Sequence, residues 1–367
     1  MRSKRLFSGI WALLLSMAIV GNFVSRVSAV DSKPSTKNAN NSTTFPAEAD
    51  SLTNSQLVRT QKPGSRTFRL NYKASVDALP LDARVRVWIP LPQTRDHQKV
   101  QLLAQDIPVE GSIHTEPAYG NRILYCESNS RSVESLPFSV SFLIRRQAVR
   151  GIDENHAPVK LTDKQRQRFL AANARVPLKG RQLDLLGGLK LTGDSLSVAR
   201  KLYDRVDDHV RYDKSKPGYG NGDVLWVCES RFGNCTDFHS LFISWARANN
   251  IPARFEIGFA LPPGPGKGVI GGYHCWALFH DENKGWIPVD ISEADKHPEM
   301  KEYYFGNLSE DRVAFTTGRD IVLVPPQDGG PLNFFVYPYV EVDGKPWPKD
   351  NVGLSFSYED VVDASAE

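Results

Sequence analysis

The clearest pattern in the first half of the chain is an alternation of apolar and polar residues. Phe68 and Leu70 fall on one face of a predicted strand with polar residues between them, and the same period recurs around Val87 and Phe142. Side chains alternate between the two faces of a strand, so each segment is typical of a half-buried strand. We expect residues 64–150 to form a separate antiparallel β-sandwich domain.

Apolar spacing changes to three and four residues farther along the chain, which is typical of helices. Helices are predicted at roughly 161–173, 195–210 and 235–249, and short strands with Gly- and Pro-rich loops follow them. This order favours an α+β domain over a doubly wound sheet. We expect that domain to span residues 158–358, with the segment 318–358 completing its sheet.

The first residues have the layout of a secretory signal peptide. Three basic residues precede an apolar run from Leu6 to Val20, and small residues follow at positions 27–29. We predict cleavage after Ala29, which makes the protein secreted or periplasmic. Residues 30–63 are polar and are predicted to be a disordered linker. The alternative is that the apolar run is retained as an anchor, and only then is a membrane partner expected.

Composition and charge narrow the classes of partner. The 367 residues are 41% hydrophobic and 24% charged, which excludes wholesale disorder. A net charge of only +3, spread evenly, gives no reason to expect a nucleic-acid partner. Four cysteines are too few for a disulfide scaffold in a chain of this length, so each is considered individually.

The segment GNCTDFHSLF places Cys235 at the start of a predicted amphipathic helix. Unpaired N–H groups and the helix dipole at such a position stabilise a thiolate and so lower the pKa of a cysteine. The same N–H groups can stabilise an oxyanion on a substrate carbonyl. Cys235 is therefore the candidate nucleophile.

Two later segments supply a base and a carboxylate, which a nucleophilic cysteine needs. The predicted strand GGYHCWAL carries His274, and the next predicted strand, GWIPVDI, carries Asp290. If His280 pairs with Trp286, the two-residue period places His274 and Asp290 on the same side of the hairpin. A register shifted by one residue would place them on opposite faces.

Together these segments resemble the transglutaminase-like superfamily, in particular its bacterial secreted members. The resemblance covers roughly residues 195–295. It implies a papain-like core in which Cys235 is the nucleophile, His274 the base and acid, and Asp290 the carboxylate that orients the histidine. The N-terminal β-domain with WIPLP at 88–92 is similar to the domain that precedes the core in those members. We expect no cofactor and no metal.

Two further residues with side chains of possible use to the site lie near these segments. The indole N–H of Trp226 is a candidate second oxyanion donor, because similar enzymes place an upstream Trp or Gln there; a buried core Trp is the alternative. His239 lies one helical turn after Cys235 and has no evident orienting partner in the sequence. We interpret His239 as a residue that either supports the site from behind or is structural.

The remaining cysteines allow two other interpretations. Cys228 and Cys275 could form a disulfide behind the site, or both could be free thiols. A zinc site is also conceivable, its candidate ligands being Cys228, Cys235, His239, His274 and Cys275. The zinc interpretation is weakened because adjacent strand residues point to opposite faces, which separates His274 from Cys275.

The function expected from these features is cysteine-dependent acyl transfer on amide bonds of peptides or proteins through a thioester. Water as the acceptor gives a peptidase or amidase, and a lysine amine gives a cross-link. We favour hydrolysis, because nothing here resembles the extra domains or calcium sites of the animal cross-linking enzymes. The alternatives are a non-catalytic module that binds envelope proteins or peptides, and a zinc-stabilised structural domain.

Overall fold

The structure, a computed structural model, describes residues 64–129, 134–153 and 160–361. The predicted signal peptide and linker, residues 1–29 and 30–63, lie outside the described residues. Within the described part no helix is both long enough and apolar enough to span a bilayer. The described residues all lie in one compact unit.

The first part of the described chain consists of strands, as the alternation predicts. In the first strand every second residue from Arg66 to Val76 is buried, so one face of the strand contributes to the core. The strands are β1 Ser65–Asp77, β2 Arg84–Leu91, β3 Gln98–Asp106, β4 Gly111–Thr115, β5 Arg122–Asn129, β6 Ser135–Gln147 and β7 Val149–Arg150.

Helices and short strands alternate in the second part. The helices are α1 Asp163–Leu170, α2 Ser195–His209, α3 Val224–Ser230, α4 Cys235–Ala248, α5 Ile291–Lys296 and α6 Lys301–Tyr304, with 3-10 turns at Arg181–Leu186, Pro298–Met300 and Lys349–Asn351. The strands are β8 Arg211–Tyr212, β9 Phe232–Gly233, β10 Ala253–Ala260, β11 Lys267–Val269, β12 Tyr273–Asp281, β13 Gly285–Val289, β14 Asn307–Leu308 and β15 Arg312–Thr317.

A four-stranded antiparallel sheet with the order β13-β12-β10-β15 forms the centre of this part. Helix α4 packs against β12 and β10 and is buried at every position from Cys235 to Arg247. It begins with a capping box, in which the Asn234 side chain accepts a backbone N–H of the first turn and Asp237 accepts the Asn234 N–H. The cap fixes where the helix starts, and therefore where Cys235 stands.

The last strands return to the sandwich: β16 Tyr339–Val342, β17 Lys345–Pro346 and β18 Val352–Asp360. One sandwich sheet has the order β11-β18-β1-β6-β3 and the other has the order β17-β16-β2-β5-β4. The predicted α+β class with an antiparallel sandwich is confirmed. The sandwich is not built from residues 64–150 alone, however, because four of its ten strands come from the segment assigned to the second domain.

The expectation that residues 318–358 complete the sheet of the second domain is wrong for this reason. Strand β18 pairs with β1 along most of its length, with Tyr72 opposite Phe356. Phe356 lies against the rings of Tyr72 in the sandwich and Phe259 in the central sheet, with a centroid distance of 4.7 Å in each case. The C-terminal strand therefore joins the two layers.

We expect Phe356→Ala to lower the free energy of unfolding by about 3–5 kcal/mol, because it leaves a cavity between the sandwich and the central sheet. Leu354→Ala on the same strand is the matched control, since Leu354 is 41% exposed and should cost less than about 1 kcal/mol. Denaturant unfolding of the two variants measures the difference. Equal losses would show that β18 does not join the layers through Phe356.

Candidate active site

The β12–β13 hairpin has His280 opposite Trp286, which is the register that the proposed histidine–aspartate contact required. Asp290 follows the last residue of β13, and His274 is the second residue of β12. The Nε2 atom of His274 donates a hydrogen bond to Oδ2 of Asp290 at 2.7 Å. The two residues are therefore in direct contact.

Cys235 is the first residue of α4, and its thiol is hydrogen-bonded to His274. Because Nε2 of His274 is bonded to Asp290, the ring presents Nδ1 to the sulfur. Cys235 and His274 are only 3% and 6% exposed, and Asp290 is fully buried. The structure thus brings the three predicted site residues together in a single hydrogen-bonded chain at a closed site.

The electrostatics of this chain favour a thiolate facing an imidazolium. Burial disfavours the Cys235 thiolate, but hydrogen bonds from Cys275 and His274 and the charge on His274 outweigh burial, so the pKa of Cys235 is well below its usual value. Burial likewise disfavours a charged His274, and the charge and hydrogen bond of Asp290 raise the pKa of His274 to about 9. Near neutral pH the pair is ionised.

Asp290 has two structural tasks. Its Oδ2 atom also accepts a hydrogen bond from Arg312 at 3.2 Å. Its Oδ1 atom accepts from the Ser292 hydroxyl and the Glu293 N–H and so caps α5. Burial opposes ionisation of this carboxyl, but the charges of His274 and Arg312 hold its pKa well below the usual range. Capping of α5 by Asp290 thus coexists with its contact to His274.

Sequence reasoning missed Arg312 in this cluster. The residue lies on β15, 22 positions after Asp290, and no local pattern joins the two. A buried arginine next to a buried carboxylate is a partner that the carboxylate requires, because an isolated buried charge is costly. The pairing of β15 with β10 brings it there.

Cys275 lies beside Cys235, and sequence reasoning did not anticipate this. Its thiol is hydrogen-bonded to Cys235 and approaches Oγ1 of Thr236 at 3.7 Å and Nδ1 of His239 at 3.9 Å. Burial and the neighbouring Cys235 raise the pKa of Cys275, so its S–H donates to the thiolate. All four cysteines are free thiols in the structure, and the suggested disulfide between Cys228 and Cys275 is not formed.

His239 is held in one neutral form by its neighbours. Its Nε2 atom accepts the Ile291 N–H at 3.0 Å, so the ring proton is on Nδ1 and the ring donates to the Cys235 carbonyl. Burial lowers the pKa of His239 further. Both nitrogens are engaged, which agrees with a structural interpretation and leaves His274 as the base candidate.

The first turn of α4 leaves one backbone donor free. The Thr236 N–H is bonded to the Asn234 side chain, and the Asp237 and Phe238 N–H groups are bonded to the Asn234 carbonyl. Among the described residues nothing accepts from the N–H of Cys235. That N–H is therefore the donor available to an oxyanion beside the sulfur.

Trp226, the candidate second donor, lies on α3. Its ring packs edge-to-face on Phe232 with a centroid distance of 5.3 Å, and Gly218 lies so close that a Cβ there would be 3.2 Å from the indole nitrogen. Trp226 is partly buried and packs against the core, and its role as an oxyanion donor stays a prediction.

Several of the candidate metal-ligand atoms are already hydrogen-bonded to other protein groups. The argument from opposite strand faces is wrong, because His274 and Cys275 both reach Cys235. Ligand atoms of His274, Asp290 and Glu293 also lie within 4.8 Å of one another. Yet Nε2 of His274 is bonded to Asp290 and both nitrogens of His239 are bonded to protein groups. The absence of a metal stays a prediction.

A cysteine at a helix start, a histidine and aspartate on a neighbouring hairpin, and a central antiparallel sheet define a papain-like class of core. Residues 188–291 match the transglutaminase-like superfamily, and this segment belongs to that family. The match overlaps most of the range, roughly residues 195–295, that carried the resemblance in the sequence.

Other comparisons give more distant relatives. An uncharacterised protein of Haemophilus influenzae is 29% identical over 307 residues, which are 72% of this chain and 82% of that protein. A proposed cysteine protease from Cytophaga hutchinsonii is 17% identical, with a TM-score of 0.49, over 82% of this chain and 99% of the other. The periplasmic domain of TgpA from Pseudomonas aeruginosa is 16% identical, with a TM-score of 0.32, over 70% and 98%.

Near neutral pH we expect iodoacetamide to alkylate Cys235 at least about tenfold faster than Cys228, since alkylation requires the thiolate. Burial raises the pKa of Cys228 to about 11, so that thiol serves as the internal control. Mass spectrometry of the two peptides over time measures the ratio. His274→Ala should remove the preference, and a ratio unchanged by that substitution would contradict the ion pair.

Asp290→Asn should lower the pKa of His274 from about 9 toward its ordinary value, because the imidazolium loses the negative charge that stabilises it. The Cys235 thiolate then loses part of its stabilisation by the charged histidine, so rapid alkylation of Cys235 should begin at a higher pH than in the unaltered protein. Asparagine also caps helices well, so α5 should persist. Ser292→Ala, which removes only a hydrogen bond to the same carboxylate, is the control and should leave the profile unchanged.

Proposed function

We propose that this protein is a cysteine hydrolase that cleaves amide bonds of peptides or proteins through a thioester. The observation that carries the proposal is the hydrogen-bonded chain of Cys235, His274 and Asp290 at the N-terminus of α4. A structural cluster would not need an ionised thiol facing a charged histidine, whereas nucleophilic catalysis does.

The first half of the reaction forms the thioester. The Cys235 thiolate attacks the carbonyl carbon, and the oxyanion that forms accepts a hydrogen bond from the Cys235 N–H. The carbon–nitrogen bond then breaks, and the His274 imidazolium gives its proton to the departing amine. Asp290 keeps the ring oriented and favours its charged form until that transfer.

The second half of the reaction resolves the thioester with water. Neutral His274 takes a proton from the attacking water, the carbon–sulfur bond breaks as the new carboxylic acid leaves, and the thiolate–imidazolium pair is restored. We favour water over a lysine of a second protein as the acceptor, because nothing in the sequence resembles the extra domains or calcium sites of the animal cross-linking enzymes.

The place of action that we propose is outside the cytoplasm, in the periplasm or the medium. The support is the sequence pattern of residues 1–29, with basic residues, an apolar run and a small-residue cleavage site. The proposed partners are accordingly exported peptides or proteins, with no nucleic acid. A membrane is a partner only if the apolar run is retained as an anchor.

The decisive test is turnover of a peptide library in water enriched in oxygen-18, with glycine methyl ester added as a competing amine. We expect new carboxylates that carry the heavy oxygen, and loss of turnover in Cys235→Ala with unfolding unchanged. Cys228→Ala is the matched control and should remain active. Turnover by Cys235→Ala would refute the mechanism, and exclusive incorporation of the amine would identify a transamidase instead.

A further inference from the structure

A cavity of about 680 Å³ lies between the sandwich and the central sheet. Lys99 on β3 and Arg146 on β6 line it from the sandwich, and Arg254, Leu278 and Trp286 line it from the central sheet. Cys235, His274 and Asp290 are not among its lining residues. The cavity is therefore a feature separate from the candidate active site.

The charge of the lining is unbalanced. Five Lys and Arg side chains line the cavity, against the carboxylates of Asp96 and Glu256. Both oxygens of Glu256 are already engaged: Oε1 accepts from Arg95 at 3.0 Å and Arg254 at 2.8 Å, and Oε2 accepts from the Trp276 indole at 3.0 Å. Asp96 is exposed to solvent. The one buried carboxylate, Glu256, thus pairs with two arginines, and the lining carries more positive than negative charge.

Arg146 is the clearest example of this excess positive charge in the lining. Its side chain is only 5% exposed, and among the described residues its Nε has no hydrogen-bond partner. The charge of Glu256 acts on it, but no described carboxylate forms a direct ion pair with it. One terminal nitrogen donates to the His97 carbonyl at 3.3 Å. Burial lowers the pKa of Arg146 to about 10, which still leaves it charged at neutral pH. A buried charge of this kind is costly without an anion beside it.

Arg254 lies on the opposite wall and pairs with Glu256, but it too has an unsatisfied nitrogen. Its Nε is buried without a partner in the described part of the chain, and its guanidinium lies 4.3 Å from the centroid of the Trp286 ring. That wall also has apolar residues, among them Leu278, Pro288 and Leu308. An occupant that suits both parts combines an anionic group with a small apolar body.

We propose that this cavity binds a small organic anion, whose phosphate, phosphonate or carboxylate group lies between Arg146 and Arg254 and whose apolar part lies against Trp286. Guanidinium groups match the geometry of such oxyanions. The occupant bridges β6 of the sandwich and β10 of the central sheet, so its binding stabilises the contact between the two layers. The proposal does not depend on the proposed hydrolase activity.

The test uses phenylphosphonate as the probe, titrated into the full mature chain by calorimetry at constant ionic strength. We expect saturable binding, a rise in the thermal unfolding midpoint, and displacement by inorganic phosphate at higher concentration. Arg146→Gln should weaken binding at least about tenfold. No saturable heat with the unaltered protein, or no competition by phosphate, would overturn the proposal.

Arg145→Gln is the matched control, because Arg145 is the neighbour of Arg146 on β6 and its side chain is exposed. It should bind the probe as the unaltered protein does. Arg254→Gln provides a second variant in case Arg146→Gln fails to fold, and it should also lose about tenfold in affinity. Equal affinity in a folded Arg146→Gln or Arg254→Gln variant and in the control would place the anion elsewhere and refute the site.

Discussion

The buried carboxylate of Asp290 is the group around which the candidate site is organised. It accepts hydrogen bonds from His274 on β12, from Arg312 on β15 and from the first turn of α5. An ionised carboxylate without these donors would be too costly to bury, so the strands and the helix must be in place together. The same charge keeps His274 protonated, which in turn keeps the Cys235 sulfur ionised.

Helix α4 supplies the other fixed point. The Asp237 carboxylate accepts the N–H groups of Gly220, Gly222 and Asn234, and so holds the preceding loop against the start of the helix. The cap satisfies the other N–H groups of the first turn and leaves that of Cys235 free. Nucleophile and oxyanion donor thus come from one residue, whose position is set by the capping geometry.

The sandwich and the central sheet are joined by aromatic packing on one side and by charge on the other. Phe356 on β18 contacts rings from both layers. Around Glu256, Arg95 from the sandwich side and Arg254 from the sheet share one carboxylate. The two layers are in direct contact at Phe356. Near the arginines a cavity remains between them, and its lining has more positive than negative charge.

Features with a short period or short range could be predicted from the sequence. Alternation in β1, the helix beginning at Cys235, and the face shared by His274 and Asp290 depend on neighbours within a few residues, and the family resemblance added the order of the three. Only the tertiary structure decided the long-range contacts. These are Arg312 beside Asp290, Cys275 beside Cys235, and the C-terminal strands in the sandwich. An alternating pattern specifies a strand and its buried face, but many partners satisfy it equally, so the pairing is set by packing of the whole chain.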